Sequence, residues 1–389
     1  MAYTFKRQIF GFMDLLRFKK MVPTRRKIFQ KGSPEPLKKS YKVNETARIL
    51  HPGYQDGKLK SISLETPDTK TFTFELERPV FFRAGQYVTV GREIDGSQVA
   101  RPYAISSSPL EGLKKEIAVT VKKAGFFSSF LFETAKEGDV FRIGEPSGEF
   151  YFEGLKDSRN VLALAGGSGI TPFYSMAQAV KEGSEDYNLT VLYGARTKAD
   201  LIFKDKLDAL EDSRIKVVYV LSDEKVDGYE TGFITRDLIT KYGQGDFTLM
   251  MCGPEAMYNF VLKEIEPLNL PLKRVKKEAN CVGIRDVEDK TYNLRVSLNG
   301  ENYNIKASST ETLLVAMERA GLKVPSKCRA GGCGFCHSKI FSGKFSIAGA
   351  DKRRLADKNS DTSTLAVLIL IQILNWKFQS KGSFLSMDF

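Results

Sequence analysis

Three cysteines spaced C-x4-C-x2-C in the loop Cys328-Arg-Ala-Gly-Gly-Cys333-Gly-Phe-Cys336 are the residues of this chain most suited to hold a metal centre. Thiolates at this spacing suit a two-iron two-sulfur cluster, whose irons need four of them. No cysteine follows Cys336 in the sequence, and Cys281, in "EANCVG", lies upstream in what reads as a linker. His337 follows Cys336 directly, which leaves a Cys3His zinc site as an alternative, although adjacent ligands seldom reach one metal together. A second signal is Gly166-Gly167-Ser168-Gly169, between the apolar run Val161 to Ala165 and a helix start marked by Pro172. Missing side chains let a phosphate approach the backbone, and a helix N-terminus turns N–H groups and a positive dipole toward it. The spacing is not the strict G-x-G-x-x-G, and any tight strand-to-helix turn wants glycine. Cys252, at the end of "FTLMMCG", taken alone is a buried small hydrophobe more often than a functional thiol. With only His51 and His337 in the chain, no acid–base dyad or activated nucleophile is evident.

The elements that must position these residues fall into three blocks. From about Glu45 to Phe152 short alternating strands are expected, among them Ser61 to Leu64, Thr71 to Leu76, Tyr87 to Val90, Ile117 to Val121 and Val140 to Ile143. Gly and Pro punctuate them, the pattern of an antiparallel β-barrel. Beyond Asp157, apolar runs ("LTVLYGA", "IKVVYVLS", "FTLMMCG") alternate with helical patterns ("KADLIFKDKLDALED", "PEAMYNFVLKEI"), which predicts a doubly wound α/β sheet. From about Tyr292 strand-like "YNLRVSLNG" and "ENYNIKAS" and helix-like "TETLLVAMERAG" lead into the cysteine loop. The expected boundaries are a basic extension over 1–44, the barrel over 45–153, the nucleotide domain over 154–280, a linker over 281–290 and the cysteine domain over 291–389.

The chain has 389 residues, 42% hydrophobic and 27% charged, the makeup of a multidomain globular protein. Its five cysteines do not form a disulfide framework, so a reducing compartment, the cytoplasm, is expected. Of the net charge of +12, +9 lies before residue 42, where eleven Lys or Arg face Asp14 and Glu35. Phe5, Ile9, Phe12, Met13 and Leu16 recur there near helical spacing, so peripheral contact with a membrane or partner and a solvated arm both fit. Neither a signal peptide nor an apolar span of about 20 residues is evident. Basic and aromatic residues are not interleaved as in a nucleic-acid module, and nucleic acid is not an expected partner.

Six motifs occur in order: "RPYAISSSP" (Arg101 to Pro109), "GFFSSFL" (Gly125 to Leu131), "GEPSGEF" (Gly144 to Phe150), "AGGSGITP" (Ala165 to Pro172), "YGAR" (Tyr193 to Arg196) and "CGPEAM" (Cys252 to Met257). Together they resemble flavoprotein reductases of the ferredoxin-NADP reductase superfamily, and the third block resembles a plant-type 2Fe-2S ferredoxin domain of β-grasp fold. The resemblance covers about Glu45 to Asp357 and is of oxygenase-reductase type. It implies that Arg101 pairs with the flavin phosphate, that Tyr103 packs on the isoalloxazine, that Pro102 between them is a cofactor-binding position, and that Gly125, Ser128 and Ser129 hold the flavin phosphates. A guanidinium forks onto phosphate, and an aromatic face suits a planar ring. Ala104 stands where the family has Ser or Thr, losing one hydroxyl beside the flavin. The resemblance further places Gly167, Gly169 and Thr171 near the pyrophosphate and nicotinamide, Cys252, Gly253 and Pro254 beside hydride transfer, and Arg196 and Ser222 at the adenosine ribose. Tyr103, Thr171 and Cys252 are the implied catalytic positions, and Cys328, Cys333 and Cys336 the metal ligands. FAD, or FMN, NADH or NADPH, a 2Fe-2S cluster and an unnamed electron-acceptor protein are the implied cofactors and partners. Arg196 could favour NADPH, while NADH is the slight preference.

The implied function is an NAD(P)H-dependent reductase that passes electrons through flavin to the cluster and on to the acceptor. The alternative is an NAD(P)H diaphorase or flavin reductase whose ferredoxin lobe does not work; a non-enzymatic NAD-binding protein is a third reading. The fourth ligand decides between the first two. In the family it comes about 30 residues after the third, in a segment like "FGYIHPCSTYP", whereas here the chain reads "NSDTSTLAVLILIQILNWKF". Codons for Ser360 to Leu370 can be chosen so that regrouping by one base, behind a preceding T, reads Phe-Gly-Tyr-Ile-His-Pro-Cys-Ser-Thr-Tyr-Pro. The cysteine then falls across the codons of Leu365 and Ala366. A frameshift near Lys358 or Asn359 is therefore expected, the tail from about 359 is taken as aberrant, and the ferredoxin domain as incomplete.

Overall fold

The computed structural model describes residues 42–243, 245–278, 288–341 and 343–348, a few isolated positions before 42, and 358, 362–364, 368–372 and 378–380 in the tail. The chain divides into two compact units, Met1–Ala47 and Arg48–Phe389. In the first, Phe5, Ile9, Phe12 and Met13 lie outside the described residues, while Leu16 is exposed. Helix α1 (Lys42–Leu50) is mostly exposed.

In the second unit a six-stranded antiparallel sheet comes first: β1 (Gln55–Thr66), β2 (Thr69–Leu76), β3 (Tyr87–Ile94), β4 (Ser97–Ala104), α2 (Pro109–Leu113), β5 (Glu116–Lys122), α3 (Phe126–Thr134) and β6 (Val140–Ile143). Its order is β4-β3-β6-β1-β2-β5. A bridge between Ile105 and Val119 links the two edges and closes the barrel. Buried and exposed residues alternate at the start of β1 because successive side chains leave opposite faces of a strand. The inward set, Leu59, Phe72, Phe74, Val88, Val90, Ile117, Val119 and Phe141 among them, forms the barrel core. β4 carries "RPYA" and sits at a sheet edge, where the missing N–H of Pro102 breaks no ladder.

The next block runs β7 (Asn160–Gly166), α4 (Thr171–Lys181), β8 (Asn188–Ala195), α5 (Lys204–Asp208), β9 (Ile215–Leu221), β10 (Glu230–Thr231), α6 (Arg236–Tyr242), β11 (Thr248–Cys252), α7 (Glu255–Ile265) and β12 (Val275–Lys277). All pairings are parallel, in the order β10-β9-β8-β7-β11-β12. Buried on both faces, β7 splits by alternation: Val161, Ala163 and Ala165 enter one core, Leu162 and Leu164 the other. The strand order reverses between β7 and β11, and that topological switch point opens a crevice at their carboxyl ends.

The helical pattern over 198–212 shrinks to the five-residue α5, because Leu201, Ile202 and Phe203 are pulled into the core, with Phe203 at φ 62°. The Tyr193 hydroxyl accepts the Ile202 N–H at 2.9 Å, and that tertiary bond replaces the helical one.

The third block contains β13 (Thr291–Leu298), β14 (Glu301–Ser308), α8 (Leu313–Arg319), β15 (His337–Ile340), β16 (Lys344–Ile347), β17 (Thr362–Thr364), β18 (Leu368–Gln372) and β19 (Phe378–Ser380). Its five-stranded sheet has the order β14-β13-β19-β15-β17, with β13 and β19 parallel, and the buried face of α8 joins its core. Part of the apolar tail thus enters strands: β18 pairs with β16, and β17 pairs with β15 so that Thr364 lies opposite His337.

Candidate functional site

A cleft of about 1100 Å³ runs between the barrel and the carboxyl edge of the parallel sheet. The barrel supplies Tyr87, Pro102, Tyr103, Ala104 and Lys122, and the sheet supplies Gly167, Thr171, Arg196, Ser222, Cys252 and Pro254. The two are pinned beside it: Ser175 Oγ donates to the Ser107 carbonyl at 2.6 Å, and Gln178 Nε2 to that of Ser106 at 2.7 Å.

On the barrel side Tyr103 stacks on Phe127 of α3, with centroids 6.5 Å apart and planes at 24°. Helix α3 begins at Gly125, where a Cβ would meet nothing within 4 Å, so its first N–H groups face an open approach suited to an anion. The Ser128 hydroxyl is turned inward, accepting the N–H groups of Ala124 and Gly125 at 3.0 and 2.8 Å. It shapes this turn, and Ser129 is the more exposed of the two serines. Arg101 sends Nη1 to Glu318 of α8 at 2.9 Å, so the arginine expected at the flavin phosphate also touches the third block. The aromatic wall and the open helix start fit a flavin, while Arg101, outside the cleft lining, is held beside them by Glu318.

At the switch point, Ala165 and Cys252 are direct register partners. A Cβ on Gly169 would lie 2.0 Å from the Cys252 carbonyl oxygen, and one on Gly253 only 3.2 Å from the Gly166 nitrogen. Gly169 is thus required where the two backbones touch, and Gly253 sits at a tight approach beside it. Gly167 differs: its φ is 54° and nothing lies within 4 Å of its Cβ direction, so it opens onto the cleft. The Thr171 hydroxyl donates to the Ser168 carbonyl at 2.8 Å and holds the turn. The Cys252 thiol is 8% exposed, and burial, with the Glu278 carboxylate as a lesser cause, pushes its pKa well above the ordinary thiol range. It remains a neutral thiol at physiological pH.

Farther along, Arg196 is mostly exposed and leans 3.8 Å from Asp200. Ser222 donates to Asp223 at 2.6 Å, and the Glu224 carboxylate accepts the Lys198 N–H at 2.7 Å. Asp200 is the carboxylate beside Arg196, with Asp223 and Glu224 following Ser222 in the next loop. Phe233 and Phe260, with centroids 5.7 Å apart, line the same end.

Two carboxylates at this site carried no signal in the sequence. Glu278 lines the cleft just after β12, and its N–H donates to the Met251 carbonyl at 3.0 Å, beside Cys252. The Tyr258 hydroxyl joins them, taking the Gly253 N–H at 3.3 Å and donating to the Glu278 carbonyl at 3.2 Å. The other is Glu318. Each is a lone acidic residue whose partners are remote in sequence.

In the cysteine loop, Cys328 is buried and lines the cleft, Cys333 is exposed, and Cys336 packs in the core of the third block. Cys328 Sγ accepts N–H groups from Ala330 at 3.5 Å and Cys333 at 3.4 Å, and the Cys333 thiol with these amides lowers the pKa of Cys328 while the same contact raises that of Cys333, so the two share one proton tightly. An acidic thiol held by amides is the chemistry of a metal-ligand loop. The loop supplies three of the four thiolates a cluster needs, and among the described residues no three His, Cys, Asp or Glu side chains converge to hold a metal ion. Cys281, Leu365 and Ala366 lie outside the described residues. Among the described residues the loop thus offers three thiolates to a cluster.

Residues 56–152 match the oxidoreductase FAD-binding domain family, 163–263 the oxidoreductase NAD-binding domain family and 296–366 the 2Fe-2S iron-sulfur cluster binding domain family. NADH oxidoreductase HCR of Escherichia coli is 30% identical over 292 residues, covering 74% of this chain and 86% of that protein. The glycine betaine monooxygenase reductase subunit of Chromohalobacter salexigens is 29% identical, covering 73% and 84%. The solved structure of phthalate dioxygenase reductase has the same fold, with a TM-score of 0.63 at 20% identity, over 84% of this chain and 98% of that one. With FAD-binding, NAD-binding and 2Fe-2S domains in that order, the chain belongs to the ferredoxin-NADP reductase superfamily, in its branch with a plant-type 2Fe-2S domain at the C-terminus.

Proposed function

We propose that the chain is an NADH-dependent flavoprotein reductase that passes electrons through flavin to a 2Fe-2S cluster and on to an acceptor protein, with an oxygenase-type protein as the acceptor its lineage serves. The observation that carries this reading is the single cleft in which Tyr103 and Ala104 of the barrel face Gly167, Thr171 and Cys252 of the parallel sheet. A bound flavin supplies the chemistry, taking two electrons with a hydride from the nicotinamide and giving electrons up one at a time.

The residues' own tasks follow from their positions. Arg101 and the N-terminus of α3 neutralise the flavin phosphate, and Pro102 and Tyr103 wall the ring. Gly125 and Ser128 shape the phosphate turn, with Ser129 beside them. Gly167 leaves backbone room for the pyrophosphate, and Gly169, Gly253 and Pro254 keep the two turns in register. Cys252, neutral and buried, gives the nicotinamide an apolar contact without adding charge, and Glu278 lines the cleft beside it. Arg196 and Ser222 hold the adenosine ribose. Asp200, Asp223 and Glu224 around them oppose a 2′-phosphate, which favours NADH. The relatives carry NADH and monooxygenase reductase in their names, which supports the donor and the acceptor class.

The incomplete thiolate set favours a second reading for the polypeptide as written, a flavin-only diaphorase. Flavin and iron measured on the purified protein, with NADH and NADPH compared as reductants of ferricyanide, test both. A flavin protein bleached by NADH supports the first proposal's catalytic half, iron content separates the two readings, and a flavin-free protein sinks both. Among the described residues no helix is long and apolar enough to cross a membrane. We keep the cytoplasm as the proposed location, with peripheral membrane or partner contact left to the basic extension.

A further inference from the structure

We infer that Glu318 is the positioning residue that holds the cysteine loop against the flavin side of the cleft. Its carboxylate, only 11% exposed, sits on α8 between two arginines from different blocks. From the barrel edge β4 it accepts the Ala100 N–H at 3.2 Å and Arg101 Nη1 at 3.0 and 2.9 Å. From the cysteine loop it accepts Arg329 in a fork, Nη1 to Oε1 at 3.3 Å and Nη2 to Oε2 at 2.8 Å.

Arg329 follows Cys328 directly and is itself 7% exposed at φ 52°, a conformation an L-residue keeps only where its surroundings hold it. On the other side of Cys328, Lys327 pairs with Glu145 of the barrel. Both chain neighbours of Cys328 are therefore tied to the barrel, one directly and one through Glu318, and Cys328 itself lines the cleft with Tyr103. The functional meaning of this contact rests on the proposal that the cleft takes flavin; the contact itself does not.

The physics makes Glu318 decisive. One carboxylate bridges two guanidiniums, Arg101 at 23% and Arg329 at 7% side-chain exposure, so removing its charge leaves two cations facing each other with no anion between them. More than 200 residues separate Glu318 from Arg101, so the bond between them forms only when the third block is docked. The same guanidinium is the proposed phosphate anchor, so the seating of the cysteine loop and the flavin site share one side chain.

Hydrogen exchange of the full-length protein read by mass spectrometry tests the inference on wild type, Glu318→Gln and the double variant Glu318→Gln/Arg329→Gln. In Glu318→Gln the amides of Ser97–Ala104 and of the loop 326–336 are expected to exchange about tenfold faster or more, while β7 is unchanged. Removing Arg329 as well relieves the repulsion between the two cations but does not restore the tether, so exchange of the loop 326–336 is expected to stay about as fast as in the single variant. A side chain that serves only as packing would make the double variant worse than the single. Unchanged exchange in Glu318→Gln, acceleration that includes β7, or a double variant faster than the single each overturns the inference. Flavin absorbance of the same wild-type sample keeps the two proposals apart: a flavin-free protein sinks the cofactor reading, unchanged exchange in Glu318→Gln sinks this one.

Discussion

Replacing Gly169 by alanine sets a steric demand that no rotamer can relieve. The new Cβ would lie 2.0 Å from the Cys252 carbonyl oxygen, 2.4 Å from its carbonyl carbon and 2.8 Å from the Gly253 nitrogen, all backbone atoms. Ordinary contact begins near 3.4 Å, so the turns after β7 and β11 must part by more than 1 Å. Overpacking of this kind costs about 1–3 kcal/mol, and with backbone on both sides the upper end, about 3 kcal/mol, is expected. At roughly 2–4 °C per kcal/mol for a domain of this size, the melting temperature should fall by about 6–12 °C. A shift of about 1 Å between the nicotinamide side and the flavin side should also cost about 100-fold in NADH turnover. Gly167→Ala is the control, two residues away: nothing crowds its Cβ, and only the left-handed φ of 54° is strained, worth about 1–2 kcal/mol. Thermal unfolding followed by circular dichroism and NADH–ferricyanide turnover give the readings. A Gly169→Ala protein that melts and turns over like wild type, or a Gly167→Ala protein that is the worse of the two, would refute the close approach of the two turns.

Arg101→Ala removes a charge-assisted contact worth about 1.5–3 kcal/mol and should raise the flavin dissociation constant about 10- to 100-fold, seen as flavin lost on desalting. Retained flavin would move the phosphate elsewhere. Asp223→Ser takes one carboxylate from beside the ribose pocket and should narrow the NADH-to-NADPH ratio of kcat/KM by about tenfold, with NADH still preferred; an unchanged ratio removes Asp223 from cofactor choice. Because burial raises the Cys252 pKa, the folded thiol stays protonated where the unfolded one, near pH 8.5, ionises. Its contribution to stability is full below that pH and is withdrawn as pH rises above it. Wild type should therefore lose melting temperature more steeply above pH 8.5 than Cys252→Ala does, and parallel curves would contradict the buried, neutral thiol.

The cleft was legible in the sequence because its parts are local: a glycine turn between strand and helix, "RPYA", and "CGPEAM" each carry their own chemistry. The two carboxylates were not. Glu278 and Glu318 become notable only when Cys252, Arg101 and Arg329 arrive from distant segments. Periodicity also misled over 198–212, where a helical pattern gave way to core packing of Leu201, Ile202 and Phe203. The roles of the two glycines near the pyrophosphate separate only in three dimensions, one facing open space and the other a carbonyl. In the tail taken as aberrant, Leu368–Gln372 nonetheless finds an antiparallel partner in Lys344–Ile347. Strand pairing needs only backbone and apolar faces, whereas a fourth thiolate needs one particular side chain. DNA sequencing around codons 358–366 addresses that point: a one-base shift restoring Phe-Gly-Tyr-Ile-His-Pro-Cys should give two irons per chain in the repaired protein, and an intact reading frame sinks the frameshift.

The claim that the cleft is a site for NADH-to-flavin hydride transfer meets its most direct test in one anaerobic experiment, titration of the purified protein with NADH. Without iron the visible flavin absorbance should bleach at about one NADH per flavin, and with a cluster present, which takes one further electron, full bleaching should need about one and a half equivalents. A colourless protein, or a bound flavin that NADH leaves oxidised, would contradict it.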